Sequence, residues 1–180
     1  MTLPQAWMLA AESDYRAGKR LENQSDPRTR GQAISKYQQC VEKSVKAVLD
    51  KLHAAGLIPS RSDRSHAVAR YVSILTRFPT TTNRYTKNDR DLLKQMQRLF
   101  TAAVVGQIRF LDSLVPEYPA TGTLAKRNHE YPFQDAAGNW HAPCETDAFT
   151  AGEMERVRHC AFVMVRGLRR VLGSLERVYP

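Results

Sequence analysis

Only three cysteines occur in 180 residues, Cys40, Cys144 and Cys160, and none forms a Cys-x-x-Cys pair. An odd number at wide spacing supplies neither a disulfide framework nor a zinc knuckle. Cys40 and Cys160 fall on helical faces and read as small buried hydrophobes, while a nucleophile reading of Cys144 has only nearby His141 behind it. No apolar run approaches the ~18 residues that a membrane span requires. The first sixteen residues, MTLPQAWMLAAESDYR, lack a basic start followed by an apolar block, so a secretory leader is not expected and a cytoplasmic location is. The five histidines show no His-x-x-x-His or His-Glu-x-x-His spacing, which leaves no metal site to expect. A glycine-rich phosphate loop is missing too, since Gly152, Gly167 and Gly173 lie in helical sequence. No cofactor is expected.

Acidic residues are the other scarcity: 18 Asp and Glu stand against 27 Lys and Arg, a formal charge of +9 with a pI near 9.7. The surplus is uneven. Residues 59–98 hold nine basic side chains, among them Arg84, Lys87, Arg90, Lys94 and Arg98, against Asp63, Asp89 and Asp91, and so carry six of the nine excess charges. Polyanions are the partners such a stretch suggests, with Arg84, Arg90 and Lys94 as candidate binding residues. The plainer reading is a solvated basic surface.

What is present is helical periodicity. From Gly31 to Gly56 the residues Ile34, Tyr37, Val41, Val45, Val48 and Leu52 recur at steps of three and four, one face of a 3.6-residue helix. Lys36, Glu42, Lys43, Lys46, Asp50 and Lys51 supply the opposite face, so burial on one broad side is expected, with Gly56 as the left-handed stop. A first helix is expected over residues 3–22, with Leu3, Trp7, Ala10, Tyr15 and Ala17 near one side, and a polar turn over 23–30. Ser65 precedes a short helix from His66 to Arg77 that turns Val68, Val72 and Leu75 inward. Pro79 and the threonines around it interrupt the pattern. One long helix is expected from Asn88 to Val115, ended by Pro116, with Leu92, Met96, Leu99, Ala103, Gly106, Phe110 and Leu114 on its face. The last helix opens at Thr150 with a Thr-Ala-Gly-Glu capping box. The expected fold is all-α, a single domain holding an antiparallel bundle of about five helices. Residues 116–149 lack a period yet hold Tyr118, Tyr131, Phe133, Trp140 and Phe149, so an ordered excursion packed on the bundle is expected there.

The order Tyr-Gln-Gln-Cys, Val-Glu-Lys-Ser-Val-Lys-Ala-Val-Leu, a glycine and then Ser-His-Ala-Val resembles the second helix of HEPN domains. Gln38, Glu42, Lys43, Lys46, Ala47, Leu49 and His66 occupy the matching places. The resemblance implies an RNA- or nucleotide-directed module of a bacterial or archaeal toxin–antitoxin, anti-phage or nucleotidyltransferase-linked system. It further implies a homodimer and a nucleotidyltransferase-type protein partner, and the lack of a long apolar run leaves no membrane to expect.

The densest polar cluster is Lys126-Arg127-Asn128-His129-Glu130-Tyr131-Pro132. Many HEPN domains carry an Arg, Tyr, Pro signature before the last helix, and the ribonuclease members an Arg, commonly followed by Asn, with a His four to six residues on. Here His129 follows Arg127 by two residues, which on a helix points the pair to nearly opposite sides. A binding module without the usual dyad is therefore the leading expectation, with Lys126, Asn128 and Tyr131 as binding candidates. The first alternative is a metal-independent endoribonuclease with Arg127 and His129 as catalytic residues, one removing the 2′-hydroxyl proton and the other stabilising phosphate charge. The second is a non-catalytic helical adaptor.

Overall fold

The computed structural model describes residues 1–24, 26–59, 68–77, 86–114, 133–134, 137–142 and 149–180. They form an all-α bundle of six helices: α1 (Leu3–Glu22), α2 (Arg30–Ala54), α3 (Ala69–Arg77), α4 (Lys87–Leu99), α5 (Ala102–Leu114) and α6 (Ala151–Val178). A 3-10 turn at Pro27–Thr29 joins α1 to α2, and a short antiparallel ribbon pairs β1 (Phe133–Gln134) with β2 (Trp140–His141).

The centre is α2. Its expected stripe is buried throughout, but burial does not stop there: Gln38, Glu42, Ser44 and Asp50 are buried too, and only Gln32 is exposed between residues 31 and 50. The expectation of one buried side is thus corrected. The charged face is covered by α1, whose Asp14 accepts from Lys36 Nζ at 3.3 Å and also pairs with Lys43, while Lys46 pairs with Glu42 and lies over the Trp7 ring. Charges that neutralise one another at an interface remain compatible with burial, whereas unpaired ones would not. Past its C-terminus, Gly56 takes φ +69° while its N–H reaches His53 O and the Leu57 N–H reaches Leu52 O, both at 2.9 Å. This is the Schellman closure, and it uses the freedom expected of that glycine.

α1 runs antiparallel to α6, as Glu22 beside Arg158 and Glu12 beside Arg169 require, and to α2, as Glu22 beside Tyr37 and Trp7 beside Lys46 require. Its buried positions are Pro4, Met8, Ala11, Asp14 and Gly18, not the expected Leu3, Trp7, Ala10, Tyr15 and Ala17, which are partly or fully exposed. The true stripe includes an acid and a glycine, so counting apolar residues chose the neighbouring face.

The single helix expected from Asn88 to Val115 is two helices. α4 starts after Thr86, whose hydroxyl accepts the Asp89 N–H at 3.2 Å while the Thr86 N–H donates to Asp89 Oδ2 at 2.9 Å, so the cap is Thr86 rather than Asn88. It ends at Phe100, buried with φ −89° and ψ 55°, and Thr101 accepts the Val104 N–H at the head of α5. Leu92, Met96 and Phe100 fill one side of the core; Ile108, Leu111 and Leu114 fill another, whereas Ala103 is exposed. The break leaves α4 and α5 each with its own face buried in the core. Asp112 of α5 in turn accepts the N–H groups of Val68 and Ala69 at 3.1 and 2.7 Å and so caps α3; Ser65 lies outside the described residues.

α6 carries the expected Thr150–Glu153 capping box, and Met154, Val157, Cys160, Ala161, Met164, Val165, Leu168, Val171, Leu172 and Leu175 are all buried. Cys40 and Cys160 are fully buried, and burial pushes both thiols well above their ordinary range, which makes them packing groups. Cys144 lies outside the described residues.

Candidate nucleic-acid interface

α4 positions a row of cations because its two faces are chemically opposite. Leu92 and Met96 are buried, and on the other side Lys87, Arg90, Lys94 and Arg98 follow at steps of three, four and four, all exposed. Those steps keep them on one stripe, about 16 Å from end to end at 1.5 Å per residue. Among the described residues none of the four makes an ion pair, although exposed Asp91 shares the helix. Four uncompensated cations in a line match the regular charge of a nucleic-acid backbone, which is recognised through neutralised phosphates. The helix is anchored at both ends. Asp89 is buried and accepts from the Tyr179 hydroxyl at the close of α6, and Leu99 lies where a Cβ on Gly167 of α6 would fall.

Asp89 and Tyr179 shape one another electrostatically. Burial pushes the Asp89 carboxyl up, yet hydrogen bonds from Tyr179 and Thr86 outweigh it and hold the group below its ordinary value of 3.8. Burial, reinforced by the bond to Asp89, pushes the Tyr179 phenol up to about 12.

Of the residues singled out in the sequence, Arg90 and Lys94 meet on this stripe. Arg84, Lys126, Arg127, Asn128, His129 and Tyr131 lie outside the described residues. No protein-family model, curated protein or solved structure matches this chain. In the 116–149 excursion, Phe149 is buried and its carbonyl accepts from Arg30 Nη1 at 3.3 Å, but Trp140 is 63% exposed.

The residues that carry the HEPN resemblance in α2 are occupied in packing. Gln38 Nε2 donates to Glu42 Oε2 at 3.2 Å, Glu42 pairs with Lys46, and Lys43 with Asp14; His66 lies outside the described residues. A second polar knot ties the other end of α1: the Tyr37 hydroxyl donates to Glu22 Oε2 at 2.6 Å, and Arg158 Nη1 to Glu22 Oε1 at 2.7 Å. Burial, then the bond to Glu22, pushes the Tyr37 phenol far up, so it stays a donor.

A second basic surface was not singled out. Arg16 on α1 and Arg166, Arg169 and Arg170 on α6 border one hollow together with Tyr15 and Phe162. Its signal in the sequence is the run Phe162-x-x-x-Arg166-x-x-Arg169-Arg170, an aromatic and three arginines within nine residues of one helix. What hides it is that Arg16 joins only through the pairing of α1 with α6.

Proposed function

We propose that the chain is a polyanion-binding helical module directed at RNA, with the outer face of α4 as its backbone contact. The observation that carries this reading is the stripe of Lys87, Arg90, Lys94 and Arg98, exposed and without carboxylate partners among the described residues. The resemblance of α2 and of the Arg127–Pro132 cluster to HEPN domains supports RNA over other polyanions, and with it membership of a toxin–antitoxin or anti-phage system, dimerisation and a nucleotidyltransferase-type partner. Fold-level likeness alone is a weak warrant for function, so the charge geometry comes first.

The test is a binding titration of single-stranded RNA against salt. Four phosphate contacts give a slope of log K against log salt of about −3. Replacing Arg90 and Lys94 together with alanine reduces its magnitude by about 1.4. An unchanged slope in the double variant sinks the α4 assignment, and absence of binding at low salt sinks the whole reading. The same RNA incubated with EDTA separates the enzyme class: cleavage that survives EDTA and is abolished by Arg127→Ala or His129→Ala identifies a metal-independent ribonuclease.

A further inference from the structure

α1 and α6 run antiparallel along the outside of the bundle, and the seam between them is a groove with two chemically different halves. The first half, about 460 Å³, is lined largely by Met1, Met8, Leu9, Leu172 and Gly173. A Cβ at Gly173 would meet nothing within 4 Å, so the hollow there is open space. The second half, about 430 Å³, is lined by Tyr15, Arg16, Phe162, Arg166 and Arg170. The halves meet at Glu12 and Arg169, which border both and pair with each other. Leu9 is 56% exposed and Phe162 39%, so the groove presents bare apolar surface along its length.

Charge decides what fits. Glu12 is engaged with Arg169, while among the described residues Arg16 and Arg170 make no ion pair and Arg166 lies over the Phe162 ring at 5.1 Å. The basic half thus faces outward with three guanidinium groups not offset by acids. At the far end of the apolar half stands Glu176. A nucleic-acid strand suits the arginines but not a half lined by methionine and leucine that also contains Glu176. A second copy of this chain would bring the same surplus of arginines, and like charges across an interface repel.

We propose that this groove receives an acidic amphipathic helix of a partner protein. Its apolar side chains enter the Met8–Leu172 half, and its carboxylates oppose Arg16, Arg166 and Arg170. From Gln5 to Arg16 the lining of α1 spans about 16 Å, or three turns of a docked helix. This site is on α1 and α6 and stands independently of the α4 stripe.

The experiment uses the full chain and a synthetic helical peptide of about 18 residues, long enough to hold its own helix, with leucine along one stripe and glutamate beside it. A second peptide of the same design carries lysine for glutamate. Fluorescence anisotropy is expected to show saturable binding of the glutamate peptide and none of the lysine peptide. Amide shifts in the complex are expected to cluster on α1 and α6 around Leu9 and Phe162. Arg166→Glu with Arg170→Glu is expected to weaken binding at least tenfold, as is Phe162→Ser, while Arg90→Ala with Lys94→Ala leaves it unchanged. Equal binding of both peptides, no binding, or shifts mapping elsewhere overturns the proposal. So does oligouridine competing for the same residues, which makes the groove a polyanion site. A dimer in light scattering that Leu9→Asp dissociates overturns it as well, by assigning the groove to a second copy.

Discussion

At Gly18 and Gly167 a neighbouring helix leaves no room for a Cβ, and the side chains in the way differ in how far they can yield. A Cβ at Gly18 would fall 2.8 Å from Tyr37 Cε1, on a ring that is fully buried and tied to Glu22 through its hydroxyl. At Gly167 it would fall 2.4 Å from Leu99 Cδ1, the far end of a partly exposed side chain. Alanine gains up to ~1 kcal/mol of helix propensity at either site, against an overpacking cost of about 1–3 kcal/mol where the core cannot give. Denaturant unfolding is therefore expected to show Gly18→Ala destabilised by about 1–2 kcal/mol and Gly167→Ala changed by less than about 1 kcal/mol. Asp89 and Tyr179 make a pH prediction of definite sign. The Asp89 carboxyl is held below 3.8, so its contribution is present above that pH and is lost as pH falls through the depressed folded value. The Tyr179 phenol is raised from 10.0 to about 12, so its contribution is full below pH 10 and is lost as pH rises through that window. Tyr179→Phe is expected to cost about 1–2 kcal/mol at neutral pH and to remove part of the alkaline loss between pH 10 and 12, read from melting curves across pH.

Most helices here start at a local cap, and one owes its start to a residue far away in the chain. α4 and α6 are locally signalled, each by a threonine and an acid three residues on. α3 is different, because its first N–H groups are satisfied by Asp112, more than forty residues downstream. Asp112→Ala is expected to cost about 1–2 kcal/mol and to raise amide exchange in α3 before the rest of the bundle, whereas loss of protection spread evenly over all helices would refute a local capping role. The division of α4 from α5 follows the same logic. No proline or glycine occurs between residues 96 and 105 to announce a break, yet α4 ends at Phe100, which is buried. Sequence periodicity read through the break as one stripe, since Leu92, Met96, Leu99 and Ala103 keep helical spacing by themselves.

At the scale of the whole molecule, the described residues hold two sets of exposed cations, on α4's outer face and along the α1–α6 groove, on separate helices. Stability and binding should separate accordingly: Arg90→Ala with Lys94→Ala is expected to leave unfolding free energy within about 0.5 kcal/mol while the RNA salt slope falls, and an early-melting variant would show the stripe to be structural. Among the described residues no helix is long and apolar enough to cross a membrane, and no cluster of histidine, cysteine and acids is placed to hold a metal ion. The all-α class, the central place of α2, the stop at Gly56, the Thr150 cap and the α4 cations Arg90 and Lys94 were legible from residue order alone. Each depends on spacing along one helix or on a local backbone requirement. The burial of α2's charged side, the inward face of α1, the break before α5 and the groove that unites Arg16 with Arg166 and Arg170 were decided by tertiary structure. Pairing lets an acid such as Asp14 stand where an apolar residue is expected, and residues 150 positions apart become neighbours only when two helices pack.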